Sequence, residues 1–144
     1  MTAPTLTADA VIAALGLEAH PEGGFYRQTF RSEGAGPRDR GAATLIHFLL
    51  RDGEGSHWHR VDADELWLWH AGAPLVLSVA ETAAGPATET VIGEGLSFQG
   101  IVPAGWWQAA RTTGDWSLVS CAVAPGFVFE GFELAPPGFA IPKG

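Results

Sequence analysis

The chain has 144 residues, 47% of them apolar and 17% charged, a composition that folds as a globular unit and buries roughly 70% of its unfolded surface. Eight basic residues against sixteen acidic ones leave a net charge of −8, which repels phosphate backbones and anionic lipid, so no nucleic acid and no membrane surface is expected as a partner. No stretch of about 18 apolar residues can span a bilayer, residues 1–10 lack the cationic-then-apolar order of a secretory signal, and the single cysteine, Cys121, has no partner for an internal disulfide. The expectation is one cytoplasmic domain over residues 1–144.

The first element is a short helix. Thr7 can cap its free amides, Asp9 suits the positive end of its dipole, and Val11, Ile12 and Leu15 form an apolar stripe at helical spacing. Gly16 stops it, because glycine enters the left-handed region at little cost. The period then changes to two. Strands are expected over Phe25 to Arg31, Thr44 to Leu50, Ser56 to Arg60, Glu65 to His70, Leu75 to Ala80, Thr88 to Ile92, Leu96 to Val102, Trp106 to Arg111 and Ser117 to Val123. About eight or nine strands with hairpin-length links read as an all-β antiparallel sandwich or barrel. Glu65-Leu66-Trp67-Leu68-Trp69 is apolar on both faces, which calls for a second covering layer, and another subunit is the simplest one. A homodimer is therefore expected. Residues 33–40, rich in glycine and charge, read as a loop that can lie over the mouth of the barrel.

Chemistry concentrates in three places. In His57-Trp58-His59 a regular strand directs both imidazoles to one side, a good pair for a divalent transition metal. Glu65 lies far enough downstream to cross a tight turn and return on the next strand, where it completes a two-imidazole, one-carboxylate set with open coordination positions. Asp64 points the other way, as a solvated turn acid. The rigid Pro103-Ala104-Gly105 turn aims Trp106, Gln108 and Ala110 along one face, and Gln108 offers a neutral oxygen or an amide donor. Six tryptophans are many for this length. Trp67, Trp69 and Trp106 fall on the faces of Glu65 and Gln108 and suit the walls of a small-ligand pocket, for a sugar derivative among others. Arg60 and Arg27 are candidates for an anionic group of the ligand. His47 reads as a satisfied core histidine, His20 and His70 carry no assigned chemistry, Cys121 reads as an inert buried thiol, and Phe127, Phe129 and Phe132 read as core or interface.

His57-x-His59 with a following acid, then Pro103-x-Gly105, resembles the two motifs of the cupin superfamily. In that family the second motif ends in a histidine, where this chain has Gln108, and the gap from His59 to Glu65 is longer than usual. Pro21-Glu22-Gly23-Gly24-Phe25-Tyr26, His59-Arg60-x-x-x-Asp64-Glu65-x-Trp67, Val102-Pro103-Ala104-Gly105-x-Trp107-Gln108 and Val123-Ala124-Pro125-Gly126-Phe127 together resemble a family of small cupins of unknown function. That family is related in fold to sugar-nucleotide epimerases. The resemblance implies a double-stranded β-helix, usually dimeric, with a pocket in the barrel mouth.

Three functions remain open on the sequence. The first is a small-molecule-binding cupin, metal-dependent through His57, His59, Glu65 and Gln108. The second is a metal-free epimerase or isomerase of a sugar nucleotide, with His59 as base, Tyr26 as acid and Glu65 orienting the imidazole. The third is a non-catalytic ligand-binding or interaction barrel. No nucleotide cofactor is expected.

Overall fold

The computed structural model describes residues 6–33 and 40–144. Helix α1 (Ala8–Leu15) starts on Thr7, whose hydroxyl accepts from the Ala10 amide at 3.1 Å, and ends on Gly16 at φ 65°. Its apolar stripe packs with Leu17 and Leu49. Most of the expected strands form within a residue of the expected bounds. They are β2 (Phe25–Arg31), β3 (Thr44–Arg51), β4 (Gly55–Val61), β5 (Asp64–Gly72), β6 (Leu75–Ala80), β7 (Thr88–Ile92), β8 (Gln99–Val102), β9 (Trp107–Thr112) and β10 (Trp116–Ala124). β8 begins three residues later than expected. The Ser97 amide closes onto the Glu94 carbonyl with Gly95 at φ 61°, so that segment turns before it extends. Two short strands join them: β1 (Glu18–Ala19) pairs with β2, and β11 (Phe132–Leu134) pairs with β4.

The strands form two antiparallel sheets, β1-β2-β3-β10-β5-β8 and β11-β4-β9-β6-β7. Together they are the double-stranded β-helix that the motifs imply. Inward residues of both sheets interdigitate: Phe48, Leu50, Trp67, Val102 and Val119 from the first meet Leu75, Leu77, Ile92 and Ala110 from the second. Full burial of each aliphatic side chain contributes about 1.5–3 kcal/mol, so this cluster dominates the stability. Towards the β1–β2 turn the filling changes from apolar to polar, and a cavity opens.

The outer faces of the two sheets differ. The second is covered by the C-terminal segment, with Trp58, Ala80, Ala87 and Trp107 packed under Ala135, Phe139 and Ile141. On the first, α1 covers only the Leu49 and Leu118 end. The register aligns Phe30, Leu45, Ala122, Leu66 and Ile101 as successive cross-strand neighbours, and Phe30, Leu66 and Ile101 are 55%, 41% and 64% exposed. Of the residues 33–40 expected to overhang the mouth, 34–39 lie outside the described residues.

Candidate functional site

The cavity occupies about 220 Å³ between the β1–β2 turn, β4, the first residues of β5 and the turn that follows β10. Three glycines explain how that backbone approaches so closely. Gly23, at φ 108°, lies where a Cβ would meet the Gly55 carbonyl at 2.0 Å, and Gly24 would strike Leu50 at 2.6 Å. The turn therefore lies flat on β4, with the His57 amide donating to the Glu22 carbonyl at 2.8 Å, and Glu22 drops into the cavity. On the far side a Cβ at Gly126 would meet the Arg40 carbonyl at 2.3 Å. The Arg40 guanidinium donates to the Gly126 carbonyl and, at 2.7 Å and 3.1 Å, to Asp62, which fixes the turn that presents Phe127 to the cavity.

His59, Glu65 and Tyr26, three of the expected residues, line this cavity, and Glu22, His20 and Cys121 line it with them. His59 is 1% exposed. Its Nδ1 lies 2.7 Å from the His57 carbonyl, which can only accept, so Nδ1 carries the proton and Nε2 turns a lone pair into the cavity. That Nε2 is 3.5 Å from Glu22 Oε2. Burial lowers the imidazole pKa, with the Glu65 charge opposing, so the ring is neutral near pH 7. Glu22 is 9% exposed at its side chain. Burial raises its carboxyl to about 8 although the Ser56 hydroxyl donates to Oε2. Burial also raises Glu65 to about 7, opposed by the His59 charge. His20 accepts the Glu22 amide proton at Nδ1, 3.1 Å away, and burial lowers its pKa to about 4, so it too is neutral.

Gln108 does not reach the cavity as a metal ligand. The Trp67 indole can only donate, and it donates to Gln108 Oε1 at 2.7 Å; the amide nitrogen then donates to Glu65 Oε1 at 2.9 Å. Trp67 is 1% exposed and belongs to the packed interior. The chain Trp67–Gln108–Glu65 orients the carboxyl from behind.

A further expectation is corrected at β4. Ser56 pairs with Ala110 and His59 with Gln108, so His57 and Trp58 together oppose the single residue Ala109. This bulge breaks the alternation of the strand. His57 and Trp58 both face outward, with His57 Nε2 2.9 Å from the Pro136 carbonyl and Trp58 under the C-terminal segment. The two imidazoles of His-x-His do not converge.

Other candidates also lie elsewhere. Trp69 donates to the Ala73 carbonyl at 3.0 Å and stacks on Phe98, and Trp106 packs on the interior cluster; neither lines the cavity. Arg60 sits on the outer face over the Trp107 ring and donates to Glu133 at 2.8 Å, and Arg27 donates to the Leu15 carbonyl. Asp64 is the exposed turn acid it was expected to be and accepts from the Ala104 amide at 2.9 Å. His47 is not a satisfied core residue: it lies half-buried on the outer face, and its Nδ1 has no hydrogen-bond partner among the described residues. Phe127 and Phe129, expected as core or interface, line the cavity instead.

The family model described as Cupin superfamily (DUF985) matches residues 9–135. The chain belongs to this cupin family. A solved protein from Shewanella oneidensis is 43% identical, with 91% of this chain and 85% of that one covered and a TM-score of 0.85. A hypothetical protein from Leishmania major is 31% identical over 93% and 90%, with a TM-score of 0.82. An oxalate decarboxylase mutant from Bacillus subtilis shares the fold at 12% identity and a TM-score of 0.61, and the chain spans 29% of its length. No curated protein matches.

Cupins often hold a metal, and the donor set here differs from the one expected for it. With His57 outside and the Gln108 oxygen taken by Trp67, the expected ligands reduce to His59 and Glu65. Among the described residues no group of three or more His, Cys, Asp or Glu side chains has a geometry that could hold a metal ion. The expected four-residue metal set does not fit this cupin. Glu22 and His20 were missed on the sequence. The available signal was a carboxylate between a proline and a glycine pair, in a turn that only close backbone packing would require.

Proposed function

We propose that this cupin binds a small organic molecule in the barrel-mouth cavity and moves a proton on it, as an isomerase does, without a metal. The observation that carries the reading is the Glu22–His59 pair, a buried carboxyl 3.5 Å from the Nε2 of a buried imidazole whose Nδ1 donates to the His57 carbonyl; burial favours the neutral form of both. For a substrate with a carbonyl group, His59 Nε2 takes a proton from the adjacent carbon while Glu22 gives its proton to the carbonyl oxygen. For an α-hydroxy-carbonyl substrate this gives an enediol; His59 then delivers its proton to the former carbonyl carbon while the Glu22 carboxylate takes the proton of the neighbouring hydroxyl, which completes an isomerisation and restores both groups. Glu65, held by Gln108, favours the imidazolium that forms on His59. Tyr26, whose ring packs edge-on to His20 at 4.5 Å, stands on the same wall as a second acid. A sugar nucleotide fits less well. The cavity holds about seven waters' volume, and none of its described lining residues is a lysine or arginine that would receive a diphosphate. A single sugar derivative remains within its size.

The test is proton exchange. Small α-hydroxy- and α-amino-carbonyl compounds are incubated with the protein in deuterated water and followed by NMR. Deuterium should enter beside the carbonyl for at least one of them, and His59→Gln and Glu22→Gln should each abolish it while the protein stays folded. If those compounds bind and none exchanges, the catalytic reading is lost and ligand binding alone remains.

A second reading concerns assembly. We propose that a second copy covers the row Phe30, Leu45, Ala122, Leu66 and Ile101, which carries no charge on a chain of net charge −8. An Ile101→Lys variant should then run as a monomer in light scattering where the parent runs as a dimer. A monomeric parent refutes it. The lone thiol of Cys121 suits the reducing cytoplasm.

A further inference from the structure

We infer that the cavity selects a small organic cation, a ligand carrying an ammonium group, over neutral and anionic molecules of the same size. This rests on the reading of the cavity as a ligand site and names the chemical class that enters it.

Two carboxyls, Glu22 and Glu65, face the cavity, and both side chains are nine-tenths or more withdrawn from water. Each accepts a hydrogen bond, Glu22 from the Ser56 hydroxyl and Glu65 from the Gln108 amide, but a buried carboxyl is still retained at a cost unless a cation meets it. Among the described residues that line the cavity there is no lysine or arginine. The nearby guanidinium groups are committed elsewhere: Arg40 to Asp62 and the Gly126 carbonyl, Arg60 to Glu133 on the outer face. The two imidazoles do not supply the charge. His59 directs its lone pair at Glu22, and His20 spends its Nδ1 lone pair on a backbone amide. A cation to meet these carboxyls is thus missing from the described wall, and a ligand can bring it, its ammonium pairing with Glu65 while the Glu22 proton stays in place.

The remaining wall suits the same guest. Tyr26, Phe127 and Phe129 line the cavity, and Phe132 packs behind them at 5.8 Å from the Phe127 ring and 6.0 Å from the Phe129 ring. Aromatic faces attract a cation through their negative π-clouds and offer an anion nothing comparable. They pack the carbon skeleton of the guest at the same time. A volume of about 220 Å³ lies below the roughly 300 Å³ at which drug-sized pockets begin, so the guest is a compact amine.

The experiment is calorimetric titration of the full chain at pH 7.5 with three probes of one shape: cyclohexylammonium, cyclohexanol and cyclohexanecarboxylate. The ammonium should bind at least about tenfold tighter than the alcohol, with the carboxylate weakest. Glu65→Gln should cost the ammonium about tenfold and leave the alcohol within about twofold; circular dichroism confirms that the variant is folded. Alcohol binding as tight as ammonium binding overturns cation selection and leaves the ligand-site reading intact. So does preferential binding of the carboxylate. An ammonium affinity indifferent to the Glu65→Gln substitution places the amine outside the cavity and also overturns the inference. Binding of none of the three overturns the inference and the ligand-site reading together.

Discussion

The two ends of the barrel interior are built from the same strands and differ in kind. Two residues along β5 lead from Trp67, sealed in the core, to Glu65 in the cavity; two along β9 lead from Ala110 to Gln108; along β3, Phe48 gives way to Ile46 and Thr44. One end is filled with hydrocarbon that holds the sheets together. The other keeps two carboxyls and two neutral imidazoles away from water, which costs stability. Such a cost is concentrated where function is, and the comparison separates the residues that make the fold from those that use it.

The largest way to break the comparison lies at the packed end. Leu77→Ala should cost about 2–5 kcal/mol, read as a lowered urea midpoint, because a fully buried side chain leaves a cavity that its neighbours fill only in part. Its effect should be the same at pH 5.5 and pH 8.

The polar end should instead show itself through pH. Glu22 and Glu65 hold their protons in the folded state after the unfolded chain has lost them near pH 4.5, so the unfolded state gains as pH rises until about 7 for Glu65 and about 8 for Glu22. His20 works the other way: it stays neutral down to about 4 while the unfolded imidazole protonates below 6.5, so its contribution is lost as pH falls. Between 4.5 and 6.5 the one imidazole offsets about half of the trend of the two carboxyls. Above 6.5 only the carboxyl trend remains, and stability should fall by about 2 kcal/mol by pH 8, at about 1.4 kcal/mol per pH unit for each group. Denaturant titrations at pH 6.5 and 8 measure this. Glu22→Gln should flatten the decline and be more stable than the parent at pH 8. An unchanged slope would show that Glu22 is ionised in the folded protein.

Smaller effects sharpen the boundary between the two ends. Trp67→Phe keeps most of the packing but removes the donor to Gln108, and should cost about 1–3 kcal/mol through the stranded amide oxygen. If the amide then flips, Glu65 loses its donor, and the proposed exchange activity should fall with it. Arg60→Gln should change stability by less than about 1 kcal/mol and leave ligand binding alone, since its pair with Glu133 is exposed and lies outside the barrel. Loss of ligand affinity in that variant would return Arg60 to the site.

Much of the fold was legible in the residues. Period-two apolar patterning marked the long strands, Thr7 and Gly16 bounded the helix, and four motifs pointed to the cupin family. Strands β1 and β11 were not legible because two or three residues carry no alternation. Half of the site was legible: His59 and Glu65 stand out as a polar pair on apolar strands. Glu22 did not, because its burial depends on a turn packing against a strand more than thirty residues later. His57 was misread because a bulge shows only when a strand is paired with its partner.

Local chemistry determined which segments extend, where the helix begins and ends, and which side chains alternate inward, because each depends on neighbours in the chain. Tertiary structure alone decided which imidazole enters the cavity, that Glu22 meets it there, and that Gln108 turns its nitrogen towards Glu65. Those outcomes come from register, close backbone approach and a single indole donor, and each exists only between segments distant in sequence.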